Sequence, residues 1–392
     1  MANDYCTQVV DDPAHIDRAA WGALLDADAE ANPFLRHEYF AALTASGAAA
    51  GPSGWHPRFL LLTRDAQLAA AAPLYAKDHS YGEYVFDWSW AEAYQRYGLA
   101  YYPKWLVAVP FTPVPGTRLL ARDEPARTAL AAALLAHAKA SGMSSLHVLL
   151  APERDIEPLA RAGLLVRDGV QFHWRNAGYA NFEEFLAQLA QPKRKKIRAE
   201  RRKVAQAGVV LERKVGGEIT EADWRFFFRC YLATYRAHFS SPYLNLEFFL
   251  RIGASMPQHL MLVLARRGGR PVASALGVFD TRRDEPRLHG RYWGAVEQID
   301  CLHFECCYYQ MIEFAIERRL AWFEGGAQGA HKLARGLDPV ATRSAHWLAQ
   351  PAMMNAVARY LERERAGIAA SIDELNEHRA FRATLGARTS PL

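Results

Sequence analysis

Cysteine is scarce in this sequence, with five residues in 392, and three of them lie close together at Cys301, Cys306 and Cys307. Domains held by disulfides carry spaced cysteines in even number, so that class is excluded and reduced thiols are expected. Apolar runs fall short of the roughly 18 residues that a membrane-spanning helix needs. The first residues show no basic segment followed by an apolar one, as an export signal would. We therefore expect a cytoplasmic protein without a transmembrane segment.

Several catalytic motifs are also missing. The sequence has no Gly-x-Ser-x-Gly elbow of serine hydrolases, no Gly-Lys-Ser/Thr of a P-loop and no Gly-x-Gly-x-x-Gly of dinucleotide-binding proteins. His303, Cys306 and Cys307 have a helical spacing that allows a metal pair. Tetrahedral zinc needs further ligands, which no Cys-x-x-Cys or His-x-x-x-His supplies. We expect packed thiols here and no metal.

Charge is unevenly distributed along a chain of otherwise globular composition, with 51% hydrophobic residues and a net charge of +5. Residues 193–203 hold eight basic side chains and one acidic side chain. Such a run predicts a helix with an anionic partner, or else a solvated helix face. The candidates for contact with phosphate or nucleic acid are Arg194, Lys195, Lys196, Arg198 and Arg201.

One order of predicted elements occurs twice in the chain. Each copy has two apolar strands joined by a polar turn, then an aromatic strand, a long helix and a further strand. In the first copy these elements lie at 58–75, 82–88, 125–140 and 146–150; in the second they lie at 260–279, 289–294, 302–319 and 321–324. The repeat predicts two related α/β halves.

The offset between the two copies shrinks along the chain, so the first half carries an insertion at residues 89–122. Prolines and aromatic residues predict an ordered loop there that forms a pocket wall, with Tyr102 and Lys104 as candidate binding residues. We predict a first half at 1–165, a second half at 166–350 that includes the basic helix 193–206, and a C-terminal helical appendage at 351–392.

A glycine-rich segment with three basic residues follows the last strand of the second half. Glycines let backbone N–H groups approach a ligand closely, and the cations suit a phosphate or a developing oxyanion. A plain glycine-rich loop with surface cations is the alternative. The candidates are Gly326, Gln328, Gly329, His331, Lys332 and Arg335.

Helix 302–319 follows Asp300, a good N-cap residue, and places Glu305 four residues before Tyr309 on its inward face. Burial there would raise the pKa of Glu305 and make it a candidate general base. The alternative is a first-turn acid that complements the helix dipole.

Two aromatic strands carry further candidate residues. On the second, Arg291, Tyr292 and Trp293 form either a substrate shelf or a core tryptophan beside a snorkelling arginine. On the first, alternation places Glu83 and Asp87 on one face, as acid/base groups or as solvated carboxylates.

Several motifs resemble those of a known family. They are Asn32-Pro-Phe-Leu, Tyr81-Gly-Glu-Tyr-Val-Phe-Asp-Trp, Tyr101-Tyr-Pro-Lys, Pro110-Phe-Thr-Pro, Arg291-Tyr-Trp-Gly, Leu302-His-Phe-Glu and Glu324-Gly-Gly-Ala-Gln-Gly-Ala-His-Lys-Leu-Ala-Arg-Gly. Together they resemble the FemAB-like branch of the FemABX peptidoglycan transferases, in the GNAT acyltransferase superfamily. The resemblance implies two tandem GNAT-like halves with mixed central sheets flanked by helices.

The resemblance also implies a function. A group would pass from an activated donor to the amine of a small molecule or peptide, such as a peptidoglycan precursor, and by motif position Lys332 would be tied to the donor. The donor is aminoacyl-tRNA or acyl-CoA, bound as a co-substrate and not permanently. His331 or Glu305 would deprotonate the amine. The alternative is a non-catalytic protein whose basic helix binds RNA, another anion or a membrane surface.

Overall fold

Strands and helices alternate along the chain in the computed structural model, which describes residues 5–282, 284–326, 330–377 and 380–381. The strands are β1 Cys6–Val10, β2 Trp55–Pro57, β3 Phe59–Arg64, β4 Gln67–Ala72, β5 Leu74–Lys77, β6 Lys104–Val107, β7 Leu120–Ala121, β8 Ser145–Ala151, β9 Leu165–Arg175, β10 Val209–Val215, β11 Leu260–Arg267, β12 Arg270–Asp280, β13 Arg287–Ala295, β14 Trp322–Glu324 and β15 Asp338–Leu348. The helices are α1 Arg18–Asp26, α2 His37–Ala45, α3 Trp88–Arg96, α4 Glu124–Ala140, α5 Glu153–Arg161, α6 Phe182–Gln188, α7 Gln191–Gln206, α8 Glu221–Ala237, α9 Leu246–Ser255, α10 Leu302–Phe304, α11 Gln310–Glu317 and α12 Pro351–Glu377.

The strands form two sheets. The larger has eleven strands in the order β10-β11-β12-β13-β14-β9-β15-β8-β6-β5-β2, and the smaller has the order β1-β3-β4-β7. Parallel pairs occur at β6–β8 and β13–β14, and each pair is joined through a helix, as parallel strands require. The prediction of a mixed α/β fold is confirmed. The larger sheet runs continuously through both halves of the chain.

Both predicted hairpins form, β3–β4 and β11–β12. The predicted strand at 82–88 does not. Positive φ angles at Gly82 (82°) and Tyr84 (64°) turn the backbone out of the extended region. The chain then enters α3 at Trp88. The strand alternation used to pair Glu83 with Asp87 was therefore wrong. The insertion is also more than a loop, because it contains α3 and β6, and β6 lies within the larger sheet.

The long helix of the second half is interrupted by one π-helical stretch. α10 leads into the π-helix Glu305–Tyr309, which leads into α11. The N-cap residue of α10 is Cys301, in the left-handed conformation, rather than the predicted Asp300. Short π-helical segments are frequent at functional sites. Here the segment carries Tyr308 and Tyr309, both buried.

α12 packs against β9 and β15, where Arg167 of β9 forms a bidentate ion pair with Glu364. On the other side of the second half, α8 packs against β13 so closely that a Cβ on Gly294 would lie 1.8 Å from the carbonyl oxygen of Cys230. In the part of the chain that the structure describes, no helix combines the length and apolarity needed to span a bilayer.

Candidate functional site

The parallel strands β13 and β14 separate at one point in the larger sheet. Their pairing runs from Arg287–Trp322 to His289–Glu324. Beyond it, Gly325 N–H donates to the carbonyl of Phe172 on β9 (3.0 Å), and Phe172 N–H donates to the carbonyl of Gly326 (3.2 Å). The chain therefore follows β9, while β13 continues to Ala295. The result is a gap that opens between two neighbouring strands.

A cavity of about 470 Å³, which we name the Lys332 pocket, lies at this gap. Its volume is in the range of pockets that bind small molecules and cofactors, roughly 300–1,000 Å³. The lining comes from both separating strands, from the π-helical segment and from the 3₁₀ turn Ala330–Arg335. It includes Gly290, Arg291, Tyr292, Trp293, His303, Cys307, Tyr308, Met311, Phe323, Gly325, His331 and Lys332.

Lys332 is 5% exposed and is the ammonium group of this pocket. Its Nζ lies 5.8 Å from the ring centroid of Phe172. Burial lowers the pKa of Lys332 to about 8, because the charged form loses hydration. At neutral pH the side chain is still mainly a cation, in a setting where one charge acts more strongly than in water.

Three imidazoles contribute to the polar lining, those of His238, His303 and His331. Nε2 of His331 lies 3.0 Å from the hydroxyl of Tyr308, and the His303 ring lies 6.4 Å from the His331 ring. Burial lowers the pKa of His303 to about 4, and burial with the charges of Arg335 and Lys332 lowers that of His331. Both are neutral at pH 7, so His331 has the protonation state of a base or a hydrogen-bond donor.

The sequence could not distinguish Arg335 from Lys332. The Arg335 guanidinium is buried, donates to both carboxylate oxygens of Glu200 on α7 (2.9 Å each) and bonds the hydroxyl of Tyr309 (3.1 Å). Its charge is thus already compensated, and it ties α7 to the 3₁₀ turn. The predicted role of Arg335 in donor binding would require it to leave this pair.

Glu305 is also buried and occupied. Its carboxylate contacts Arg201 at 3.1 Å and accepts from the Gln310 amide at 2.9 Å. Burial raises the pKa of Glu305 against the charge of Arg201. It is absent from the lining of the Lys332 pocket, so a role as base there would require movement of the π-helical segment.

The strand Arg291–Trp293 joins the two halves of the chain. Arg291 donates to the carbonyl of Phe111 (2.7 Å), and so does the Tyr292 hydroxyl (2.9 Å). Trp293 stacks obliquely on His303 with ring centroids 5.5 Å apart. All three residues line the Lys332 pocket, as a substrate shelf would. Arg291 and Tyr292 also hold the two halves together, so they have a structural role as well.

The four candidates of the first half meet around Lys104, away from the Lys332 pocket. Lys104 Nζ donates to Ser80 (2.8 Å), Glu83 (2.8 Å) and Asp87 (2.5 Å). Tyr102 bonds the same Ser80 hydroxyl at 2.8 Å. Burial raises the pKa of Glu83 to about 7, while the charge of Lys104 outweighs burial and holds the pKa of Asp87 well below its usual range. We name this group the Lys104 cluster; its role in binding stays a prediction.

The basic helix forms as α7, anchored by the buried Ile197 and Val204. Among the candidates for phosphate contact, Arg194 donates to backbone carbonyls of α6 and its C-terminal end, Arg198 pairs with Glu183, and Arg201 pairs with Glu305 and Glu313. Lys195 and Lys196 are exposed. The predicted candidates Gln328 and Gly329 lie outside the described residues.

Sequence reasoning missed a row of charged and polar side chains on the larger sheet. Cross-strand pairing sets Glu324 between His289 and His173. Nδ1 of His289 lies 3.0 Å from one oxygen of Glu324, and Arg287 donates to the other at 3.1 Å. Against the effect of burial, these neighbours hold the pKa of Glu324 well below its usual range. Only the alignment of three strands distant in sequence reveals the row.

Among the described residues, no group of three or more His, Cys, Asp or Glu side chains is arranged to hold a metal ion. In the Lys332 pocket, the ammonium of Lys332 and the glycine-lined edge formed by Gly290 and Gly325 suit an activated carbonyl.

Comparisons with known proteins support the fold and the family. The profile of the FemAB-like family, described as peptidoglycan biosynthesis/recognition, matches residues 12–383. No curated protein matches the sequence. The crystal structure of FemX is similar to this one over 88% of this chain and 99% of the FemX chain, with 12% sequence identity and a TM-score of 0.55. The structure of L-PGS from Bacillus licheniformis is similar over 90% of this chain and 99% of the L-PGS chain, with 10% sequence identity and a TM-score of 0.55.

A third similar structure is the C-terminal domain of a putative lysylphosphatidylglycerol synthetase from Agrobacterium fabrum. It covers 88% of this chain and 96% of its own, at 11% identity and a TM-score of 0.55. At such identities the similarity concerns the fold. The predicted pair of tandem GNAT-like halves is confirmed.

Proposed function

Since the chain belongs to the FemAB-like family of peptidoglycan biosynthesis or recognition proteins, we propose that it transfers an acyl or aminoacyl group from an activated donor to an amine. The observation that carries the proposal is the Lys332 pocket. A cavity opens where two parallel strands separate, and a desolvated ammonium lines it. The amine acceptor we favour is a peptide or peptidoglycan precursor, in keeping with the family description.

In the proposed reaction the donor carbonyl lies in the gap beside Gly290 and Gly325. The amine nitrogen attacks the carbonyl carbon, and the oxygen becomes negatively charged in the tetrahedral intermediate. The ammonium of Lys332, already held in the pocket, stabilises that charge. The N–C bond forms in this step, and the ester C–O bond of an aminoacyl-tRNA, or the thioester C–S bond of an acyl-CoA, breaks when the intermediate collapses. No covalent enzyme intermediate is needed.

The donor we favour carries several phosphates. Arg335, in the same 3₁₀ turn as Lys332, is bound to Glu200 of α7. The exposed lysines of α7 therefore lie on the element next to the pocket, where they can attract a polyanionic carrier. Aminoacyl-tRNA and acyl-CoA both fit this description.

A transfer assay tests the proposal directly. The full chain is incubated with a lysine-containing pentapeptide and either bulk tRNA charged with labelled amino acids or acetyl-CoA. We expect labelled pentapeptide with one donor. Cys307→Phe should lower its formation about 5- to 30-fold, because a larger side chain in the packed wall of the cavity costs about one to two kcal/mol. Cys6→Phe, on the exposed face of β1, is the matched control and should transfer normally. Absence of product with both donors would contradict the proposal.

The exposed lysines of α7 give a second prediction, which also separates an enzyme from a binding protein. Lys195→Glu with Lys196→Glu should weaken the binding of bulk tRNA and reduce the slope of log affinity against log salt by about 0.7 per lost phosphate contact. Lys139→Glu, on the exposed face of α4, should leave both unchanged. Transfer from acetyl-CoA, if that donor is used, should persist in the double variant with a higher KM for acetyl-CoA, because the lysines attract its phosphates but take no part in the chemistry. A non-catalytic RNA-binding protein would instead show no transfer with any variant.

A further inference from the structure

A second cavity lies on the opposite face of β13 and β14, about 410 Å³ in volume. We name it the His289 pocket. Its floor is the row of His289, Glu324 and His173, and its rim includes the exposed Glu30 and Glu153. The volume is sufficient for a group the size of an amino-acid side chain.

The two cavities meet at the point where the strands separate. His289 and Glu324 form the last pair between β13 and β14 and line the His289 pocket. The next residue on each strand, Gly290 and Gly325, lines the Lys332 pocket. Successive residues of a strand point to opposite faces of a sheet. Both glycines lack a side chain, and at the gap the Phe323 ring packs against Gly290 and the Leu337 side chain packs against Gly325.

His289 has the chemistry of a base at this position. Its Nδ1–H donates to Glu324, which fixes the tautomer and leaves Nε2 with a lone pair. His289 is 1% exposed, and Nε2 has no hydrogen-bond partner among the described residues. A buried polar atom without a partner is costly, so its presence in a cavity indicates a ligand that supplies one. A carboxylate that orients a histidine in this way is a recurrent arrangement for proton transfer.

We propose that the His289 pocket receives the primary amine of the acceptor and that Nε2 of His289 takes its proton. This inference rests on the proposed function. The neutral amine attacks the donor carbonyl through the gap, and Nε2 removes a proton from the nitrogen as the N–C bond forms. The C–O or C–S bond to the carrier then breaks, and the departing oxygen or sulfur takes up one proton. The exposed carboxylate of Glu30 favours a ligand that arrives as an ammonium ion, and this ion gives one proton to water before the neutral amine attacks. Glu153 on the same rim is ion-paired with Arg343.

His289→Asn tests the assignment, because the asparagine amide can still donate to Glu324 but has no base at the Nε2 position. With either donor, transfer to the pentapeptide lysine should fall about 10²- to 10³-fold, within the range for loss of a general base. Transfer to hydroxylamine should fall far less, because hydroxylamine is a weak base whose attacking nitrogen loses its proton to water.

The matched control is His259→Asn. His259 is also buried, binds a backbone carbonyl through Nδ1 and leaves Nε2 without a partner, but lies outside both cavities. The His259→Asn variant should transfer to the pentapeptide at the wild-type rate. Transfer to hydroxylamine shows that His289→Asn is folded. Equal losses with lysine and hydroxylamine, or wild-type transfer to lysine, would overturn the role of His289. If Lys332→Ala abolished transfer in that case, the proposed function would stand without this base.

Discussion

Lys332→Ala should lower the rate of transfer about 10²- to 10³-fold, the loss found when one donor to a developing oxyanion is removed. The side chain is almost fully buried and points into the cavity at the strand gap. It has no carboxylate partner among the described ion pairs, so its charge is available to the reaction. The free energy of unfolding should change little or rise, because a desolvated cation is removed. Initial rates of peptide labelling and urea denaturation measure the two effects.

The pH dependence separates the charge of Lys332 from its packing. Burial lowers its pKa to about 8, so the ammonium is lost as the pH rises through that value and transfer should decline on the alkaline side. Lys332→Arg keeps its charge over this range and should not show that decline, although its bulkier head should lower the rate. Lys332→Met, which keeps the length without charge, should resemble the alanine variant. Near-wild-type transfer by the methionine variant would contradict the proposed role.

The fold was predictable where its signals are local. The hairpin turns at 64–67 and 267–270 are polar breaks between apolar runs, and both predictions are confirmed. The gap between β13 and β14 was not predictable, because it depends on Gly325 and Gly326 pairing with β9, about 150 residues earlier in the chain. Register between distant strands is set by tertiary packing, which no local pattern reports.

The candidate site shows the same division. The sequence identified the basic residues that follow β14, but not their directions. Lys332 and Arg335 are three residues apart in a 3₁₀ turn, yet Lys332 enters the pocket and Arg335 binds Glu200. The partner of Arg335 lies on α7, so only the fold could assign it. For the same reason Glu305 was recognised as inward-facing but not as the partner of Arg201.

In the first half, the structure brings the candidate residues together, but not through the geometry that was predicted. Glu83 and Asp87 were paired by strand alternation, whereas the chain there is irregular and leads into α3. What brings them together is the ammonium of Lys104, fully buried on β6. The two carboxylates share this interior with the Lys104 ammonium and with the buried amine of Lys77, so the stability of the first half depends on their charge balance.

Lys104→Met should destabilise the protein by about 3–5 kcal/mol, because removing one member of a buried ionic group leaves the others uncompensated. The loss should be larger at alkaline than at mildly acidic pH. Without Lys104, the pKa values of Glu83 and Asp87 should rise in the folded state, which then binds more protons than the unfolded chain. Stability consequently falls as the pH rises. Urea denaturation monitored by tryptophan fluorescence at several pH values measures this slope.

In the wild-type protein, the raised pKa of Glu83 also makes the free energy of unfolding fall as the pH rises. Burial raises its pKa from 4.5 to about 7, so its contribution to stability declines as the pH rises between these values, and Glu83→Gln should flatten that decline. Lys139→Met, which removes an exposed lysine, should change the unfolding free energy by less than about 0.5 kcal/mol. If Lys104→Met behaved like this control, the cluster would not stabilise the fold. If the variant folded at mildly acidic pH but did not transfer, the predicted binding role of the Lys104 cluster would gain direct support.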